Sequence, residues 1–264
     1  MLIEIDEGRC IGCGTCVADC VGSNLLVEDG LARVLGRCIM CGHCVAICPT
    51  EAVSIPSYDM ADVEPSAPAS ETLDAAVLLR AIKSRRSVRD YRPRPVEPEA
   101  LATVLEAGRY TATAKNAQGC RFVVVQDALD ELKALVWDGI DGLLALPPAD
   151  KPRWAKVYKP FSRGRRADAG EDFLFRNAPA VVFIACDRAD DAGLAAQNME
   201  LVAASLGLGV LYNGYLCRAA EELPAVKAFL EAQDKPLQLC MLLGYPSRSY
   251  PRTAPRLPGD FVVK

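Results

Sequence analysis

Eight of the twelve cysteines lie in two short runs near the start of the chain. Residues 9–20 read RCIGCGTCVADC and residues 37–48 read RCIMCGHCVAIC, so the same pattern returns 28 residues later. Taken alone, CGHC at 41–44 suggests a dithiol for disulfide exchange. Within the repeat, however, each run has the spacing C-x-x-C-x-x-C-x-x-x-C, which is typical of thiolate ligands to iron–sulfur clusters.

The same spacing predicts how the thiolates are shared between two [4Fe-4S] clusters. Three cysteines of one tight loop can bind three irons, but the loop cannot easily reach the fourth, so the fourth ligand comes from the other run. One cluster is predicted to be bound by Cys10, Cys13, Cys16 and Cys48. The other is predicted to be bound by Cys38, Cys41, Cys44 and Cys20. Residues 1–55 resemble a two-cluster bacterial ferredoxin throughout.

Two other interpretations of these runs are weaker. Paired C-x-x-C motifs also make structural zinc sites, but zinc does not require two triplets of cysteines with a distant fourth. His43, the only histidine, occupies a non-ligand position inside its run, which favours a place beside the cluster or facing solvent. The remaining cysteines sit in apolar segments, where a reduced cysteine behaves as a small hydrophobe; they are Cys120, Cys186, Cys217 and Cys240.

The bulk composition bounds the function class. The chain has 264 residues, is 51% hydrophobic and carries a net charge of −4, so its overall field favours neither nucleic acid nor an anionic membrane as a partner. The sequence has no apolar run of the roughly 18–20 residues that a membrane span needs, and it begins without the pattern of a signal peptide. These features predict a cytoplasmic protein.

Beyond the cysteine runs, the pattern predicts a linker and a larger α+β domain. Residues 56–70 are rich in proline, alanine, serine and acid, without a period, and are predicted to be the linker. Helical spacing follows over 73–82, 101–108, 129–136 and 191–206, the last with Leu194, Leu201 and Val202 on one face. Short apolar runs predict strands at 121–126, 179–186, 209–212 and 237–244. Helices outnumber strands without regular alternation, which favours α+β, and no G-x-G-x-x-G supports a nicotinamide site.

A local basic cluster stands out in this acidic chain. Between Lys83 and Arg94 there are six basic residues and one acid, Asp90. Guanidinium groups together with the Ser87 hydroxyl suit a phosphate monoester. A nucleic-acid patch and a solvated basic face are the alternatives.

Five motifs in order resemble those of the nitroreductase family of flavoenzymes. They are SRRSVRDY at 84–91, AKNAQ at 114–118, NAPAVVF at 177–183, DAGLAAQNMELVAASLGLGV at 191–210 and LGYP at 243–246. The resemblance covers residues 71–264, and fusion to a ferredoxin is a known arrangement in that family. It implies FMN held noncovalently in a homodimer, with helices around a small antiparallel sheet.

The resemblance also implies site residues. The residues that match those around the FMN phosphate are Arg85, Arg86, Ser87 and Arg89. Near the C-terminus, Arg252 and Arg256 match basic residues that also contact this phosphate. Asn116, with Gln118, matches an amide that contacts the flavin ring, and Asn213 and Gly214 match the segment that places a backbone N–H near it. Gly119 and Cys120 depart from the proline and aromatic of many relatives, which changes the expected pocket wall.

The expected function is an FMN-dependent oxidoreductase. Electrons from a low-potential donor protein would pass through the clusters to FMN and on to a nitroaromatic or similar conjugated acceptor, without a general acid–base triad. The alternative is a flavo-iron-sulfur carrier that relays electrons to a protein partner. The 137–176 segment, with Trp154, Tyr158 and Phe161 among basic residues, is expected to be a lid that favours a flat, anionic or nitro-bearing substrate.

Overall fold

The computed structural model describes residues 3–168 and 170–264. Met1, Leu2 and Ala169, which fall in the ranges predicted for the two domains, lie outside the described residues. The chain forms two compact units. The first runs to Thr72 and also includes Thr113–Gln118, and the second comprises Leu73–Ala112 and Gly119–Lys264.

The first unit consists of short elements around the two cysteine runs. Its strands form two antiparallel pairs, β1 (Glu4–Ile5) with β4 (Val53–Ser54) and β2 (Leu25–Glu28) with β3 (Leu31–Val34). Its helices are α1 (Thr15–Ala18), α2 (His43–Ala46) and α3 (Ala69–Thr72). The predicted linker, 56–70, contains the 3-10 turn Met60–Asp62 and the first two residues of α3.

Glycine allows the sharp turns of both cysteine runs. Gly14 and Gly42 precede α1 and α2 in the left-handed conformation, with φ of 75° and 76°. Gly12 also has a positive φ, and a Cβ at this position would lie 2.1 Å from the Gly30 carbonyl oxygen. A side chain is therefore excluded at residue 12 by both backbone conformation and space.

The second unit is a layer of sheet between two layers of helix. Its helices are α4 (Ala75–Ser84), α5 (Pro98–Arg109), α6 (Leu129–Ala145), α7 (Lys159–Ala167), α8 (Ala189–Ser205), α9 (Gly214–Glu222) and α10 (Pro224–Phe229). Its strands are β5 (Arg121–Val125), β6 (Ala180–Ala185), β7 (Gly209–Tyr212) and β8 (Leu237–Gly244). They pair in the order β5-β6-β8-β7, and every pair is antiparallel.

The two faces of this sheet carry separate hydrophobic cores. Val181 and Phe183 of β6 point into a core that includes side chains of α6, α9 and α10. Val182 and Ile184 point into a second core with side chains of α5 and α8. Because both faces are covered, every residue of β6 is buried, which explains why its sequence is an unbroken apolar run. The predicted α+β class, with helices around an antiparallel sheet, is confirmed.

The face predicted for α8 is not the buried one. Leu194 is 55% exposed, whereas the buried apolar positions are Ala192, Ala195, Ala196, Met199 and Ala203. Small alanine side chains allow this helix to pack closely on the sheet, so the larger apolar residues do not mark the inner side. The described residues contain no helix that combines the length and apolarity of a bilayer span.

Candidate functional site

The cysteine sulfurs of the first unit accept hydrogen bonds from backbone N–H groups. Ala32 N–H donates to Cys10 Sγ at 3.4 Å and Asn24 N–H donates to Cys20 Sγ at 3.3 Å. In the second run, Met40 N–H donates to Cys38 Sγ at 3.1 Å, and Ala52 N–H donates to Cys48 Sγ at 3.2 Å. Such donors stabilise thiolates and tune the potentials of iron–sulfur clusters.

Several cysteine thiols of this unit are close enough to affect one another's pKa. Burial raises the pKa of the Cys16 thiol, and Cys13 and then Cys48 of the other run raise it further. Burial likewise raises the pKa of the Cys44 thiol to about 11, with added effects of Cys38 and Cys41. Cys48 is thus near the first run, as the predicted sharing of ligands requires.

Six of the eight cysteines contact the hydrophobic core of this unit. Cys16 and Cys44 are buried members, and Cys10, Cys20, Cys38 and Cys48 pack against it. Within residues 3–168 and 170–264, no three Cys, His, Asp or Glu side chains converge on the position of a single metal ion. A [4Fe-4S] cluster takes one thiolate at each of four irons, so its ligands surround the cluster and not one ion.

His43 lies at the surface of the first unit. Its Nδ1 is 3.0 Å from Asp19 Oδ2, and its side chain is 61% exposed. This agrees with the predicted solvent-facing place. The contact of the ring in this unit is with a carboxylate.

A cavity of about 460 Å³ in the second unit combines aromatic and cationic side chains. Its lining includes Phe173, Leu211, Tyr212 and Tyr215 together with Arg89, Arg176 and Arg218. None of these three arginines forms an ion pair with another described residue. We call this the unpaired cavity. An apolar wall combined with guanidinium groups that have no ion pair suits a flat, anionic ligand.

Two residues predicted to contact the flavin, Asn213 and Gly214, line the unpaired cavity. The Asn213 side chain is occupied in the fold, because its Oδ1 accepts from Leu216 N–H at 3.0 Å and its Nδ2 donates to the Leu174 carbonyl. It thereby caps α9 and fixes the position of the following turn. Gly214 leaves open space where a side chain would stand. The backbone of this turn is therefore available to a ligand.

Aromatic residues of the predicted lid pack against the same cavity. Phe161 stacks on Phe173 with ring centroids 3.9 Å apart, and it meets Tyr215 edge-on at 5.4 Å. The buried Tyr158 hydroxyl donates to the Tyr215 carbonyl at 2.7 Å. The segment thus contributes a fixed aromatic wall through the 3-10 helix Arg153–Tyr158 and α7.

A second cavity, of about 480 Å³, contains Arg85 and Arg86 from the predicted phosphate cluster. Two of its four arginines are neutralised by carboxylates: Arg85 Nη1 is 3.1 Å from Glu200 Oε1, and Arg248 Nε is 2.8 Å from Asp90 Oδ2. The other two, Arg86 and Arg92, form no ion pair with a described residue. We call this the paired cavity. Burial and the Glu200 carboxylate raise the pKa of Tyr212, whose hydroxyl donates to Glu200 Oε2 at 3.2 Å.

The remaining predicted flavin residues lie elsewhere. Ser87 forms a parallel bridge with Val210. Arg252 and Arg256 are exposed in the C-terminal coil. Asn116 and Gln118 belong to the first unit, where Asn116 Nδ2 donates to the Met40 carbonyl at 2.8 Å and Gln118 Nε2 donates to Tyr58 Oη at 2.8 Å. Both have positive φ, of 52° and 47°, a conformation that costs energy and often occurs at binding sites.

Sequence reasoning missed several residues of the unpaired cavity. Phe173, Arg176 and Arg218 line the unpaired cavity without belonging to a quoted motif. The local sequence signal for Arg176 was its position directly before the NAPAVVF motif. Arg218 comes from a helix that the sequence pattern did not predict.

Comparison with known proteins agrees with both halves of the chain. A model of the nitroreductase family matches residues 82–245, and a model of the 4Fe-4S dicluster domain matches residues 2–49. A protein of Methanothermobacter thermautotrophicus, named as a candidate NADH dehydrogenase/NAD(P)H nitroreductase, is 24% identical over 65% of this chain and 78% of its own. An NADPH-flavin oxidoreductase of Vibrio harveyi is 25% identical over 70% of this chain and 72% of its own.

Solved structures show the same fold for the second unit. A nitroreductase of Bacteroides fragilis, whose structure contains FMN, superposes with a TM-score of 0.57 at 24% identity and covers 71% of this chain and 98% of its own. Since the nitroreductase model matches well over half of the 264 residues, the predicted flavin oxidoreductase class is confirmed. The chain belongs to the nitroreductase family and carries a 4Fe-4S dicluster domain ahead of the family domain.

Proposed function

We propose that the protein is an FMN-dependent oxidoreductase that takes electrons through two [4Fe-4S] clusters and reduces a nitroaromatic or similar conjugated acceptor. The observation that carries this proposal is the unpaired cavity, in which three guanidinium groups without ion pairs surround an aromatic wall. Nitroreductases of Bacteroides fragilis and Desulfitobacterium hafniense with this fold contain bound FMN. When bound, FMN would collect single electrons and deliver a pair to the acceptor.

The residues of the unpaired cavity would hold and orient the cofactor. Arg89, Arg176 and Arg218 would offset its negative charge, and the backbone at Gly214 would face the ring from the start of α9. The other predicted contacts of FMN stay predictions. For its phosphate they are Arg85, Arg86, Ser87, Arg252 and Arg256, and for its ring they are Asn116 and Gln118. The wall of Phe161, Phe173 and Tyr215 favours a flat acceptor.

The eight cysteines of the two runs would bind the clusters. Backbone N–H donors to four of the sulfurs support a role as thiolate ligands, and the effect of Cys48 on the pKa of Cys16 supports the assignment of Cys48 to the cluster of the first run. Replacing Cys41 with Ala should remove one cluster, about half of the iron and labile sulfide. Iron and sulfide analysis of the anaerobically purified variant would measure this. A full complement of iron in C41A would contradict the assignment.

We also propose a homodimer in the cytoplasm, with domain boundaries at 1–55, 56–70 and 71–264. No described residue of α4 is buried, and its apolar side chains Val77, Leu79 and Ile82 are each at least 40% exposed. A second copy would cover this face. Sedimentation equilibrium of the wild type and of V77D would test the dimer, which the charge should weaken.

The decisive experiment for function is anaerobic reduction followed by an acceptor screen. Reduced ferredoxin or another low-potential donor should bleach the flavin faster than NADH does, and nitrofurans or quinones should then restore its absorbance. Flavin that stays oxidised with reduced ferredoxin but is bleached by NADH would overturn the order of electron flow. Reoxidation only by a protein partner would favour the relay function.

A further inference from the structure

Two cysteines outside the cluster runs lie next to each other in the second unit. The Cys120 thiol donates to Cys186 Sγ, with the sulfur atoms 3.1 Å apart. Cys120 comes directly before β5, and Cys186 comes directly after β6. Since Arg121 is paired with Ala185, the two cysteines occupy the next opposed positions of the antiparallel ladder.

The backbone at this position favours a close approach of the side chains. Cys186 N–H donates to the Pro236 carbonyl at 3.0 Å, and the Cys186 carbonyl accepts from Gln238 Nε2 at 2.9 Å. The backbone N–H and C=O of Cys186 are thus directed away from Cys120. This is the arrangement of a non-hydrogen-bonded pair of opposed residues in an antiparallel ladder. The Cα atoms of such pairs are about 4.5 Å apart, which is within the range of roughly 4.4–6.8 Å that a disulfide accepts.

The two thiols differ in access. Cys120 is partly exposed, whereas Cys186 is 2% exposed and belongs to a hydrophobic core. Burial, and then the Cys186 thiol, raise the pKa of Cys120 to about 12, while the nearby Lys235 lowers it. Lys235 Nζ donates to the Gly119 carbonyl at 2.7 Å, which keeps its charge beside the pair. Because Cys120 is the more exposed thiol, a reagent from solution would react first with it, and the raised pKa means that this reaction becomes faster at higher pH.

We propose that Cys120 and Cys186 are a redox-active pair that forms a reversible disulfide with low-molecular-weight disulfides as the oxidant. The Cys120 thiolate attacks one sulfur of the oxidant, the S–S bond of the oxidant breaks, and one thiol leaves with a proton. Cys186 then attacks the Cys120 sulfur of the mixed disulfide, and the second thiol leaves with the Cys186 proton. The protein loses two electrons and two protons, and the oxidant gains both.

The bond would join the start of β5 to the end of β6 and close a loop of 66 residues. A cross-link over a long loop restricts the unfolded chain, so the oxidised protein should unfold at a higher temperature than the reduced one. Neither cysteine belongs to the two cysteine runs or lines either basic cavity. It gives the chain a thiol-based response to the redox state of its surroundings.

Peptide mapping can test the pair cleanly, because trypsin isolates each cysteine. Residues 116–121 (NAQGCR) and 177–188 (NAPAVVFIACDR) are tryptic peptides that each contain one cysteine. The full chain with its clusters is incubated anaerobically with glutathione disulfide at pH 8.5, and free thiols are alkylated under denaturing conditions. The expected product is the linked peptide pair, two hydrogens lighter than the separate peptides, which dithiothreitol converts back.

Variants separate this pair from random thiol oxidation. C120S should abolish the linked pair and the rise in unfolding temperature, while C217A should retain both, because Cys217 Sγ donates to the Leu237 carbonyl and takes no part. C186A should leave Cys120 as a stable mixed disulfide with glutathione. The proposal would be overturned if the wild type gave no linked peptide pair. It would also be overturned if Cys120 and Cys186 were linked as often to cysteines of the two runs as to each other.

Discussion

The two basic cavities of the second unit contain similar numbers of arginines but differ in what those arginines contact. In the paired cavity, Arg85 binds the buried Glu200 and Arg248 binds Asp90, while Arg86 and Arg92 form no ion pair with a described residue. In the unpaired cavity, Arg89, Arg176 and Arg218 form no ion pair with a described residue. A count of positive charges along the sequence therefore does not locate an anion site. The cavities differ in the share of guanidinium groups that lack a negative partner after folding, which is all three in the unpaired cavity and two of four in the paired cavity.

The largest expected effect lies in the paired cavity and concerns stability. Glu200→Ala should lower the free energy of unfolding by about 3 kcal/mol, because it leaves the part-buried Arg85 without its carboxylate. Urea unfolding followed by circular dichroism would measure the change. Glu200→Gln keeps a hydrogen-bond acceptor at the same place, so it should lower the free energy of unfolding by less than Glu200→Ala. Equal stability of E200A and the wild type would mean that this ion pair does not hold the fold.

The next effect lies in the unpaired cavity and concerns the cofactor. Arg218→Gln should weaken FMN binding by about 10- to 100-fold, the effect of losing a hydrogen bond to a charged group. Titration of the apoprotein with FMN, followed by quenching of flavin fluorescence, gives the Kd. Arg109→Gln is the matched control, since Arg109 is half-exposed on α5 and is paired with Glu106. Unchanged affinity in R218Q would remove the basis for placing FMN here.

A smaller effect is expected at the border between the cavities, where Tyr212 lines the unpaired cavity and binds Glu200 of the paired one. Tyr212→Phe should cost about 1 kcal/mol of stability at pH 7. Burial and Glu200 raise the pKa of Tyr212 above its usual 10, so its contribution is complete below about pH 10 and is lost as the pH rises through the folded value.

Urea midpoints measured from pH 7 to pH 11 would check this sign. The wild type should lose stability above pH 10, and Y212F should lose less over the same interval. Some loss should persist in the variant, because burial also raises the pKa values of Tyr91 and Tyr158. A variant that loses stability as steeply as the wild type would exclude Tyr212 as a source of the pH dependence.

Local patterns predicted much of this molecule. The repeat of cysteines revealed the dicluster domain because ligand spacing is a property of one short loop. Strands β7 and β8 begin and end where the apolar runs at 209–212 and 237–244 do, since turn residues flank both. The first unit was harder, because β1 and β4 have two residues each and show no period.

The cavities could not be predicted because they depend on contacts between distant residues. Glu200 neutralises Arg85, although the two residues are 115 positions apart in the sequence. The sequence around either residue contains no pattern that predicts this ion pair. The inner face of α8 was missed for a related reason, since close packing on the sheet selects alanine, a residue that hydropathy scarcely marks. The pairing of Cys120 with Cys186 likewise follows from the β5–β6 register.

The smallest expected effect is at Arg248, and it tests the comparison most directly. This side chain is 77% exposed and its charge is already offset by Asp90, so Arg248→Gln should change the Kd of FMN by less than about twofold. R248Q and R218Q each remove one guanidinium group, and both are titrated with FMN in the same buffer. A loss of affinity in R248Q as large as that in R218Q would mean that the paired cavity also holds the FMN phosphate. That is the location predicted from the sequence positions of Arg85 and Arg86. Pairing would then not distinguish a binding arginine from a structural one in this protein.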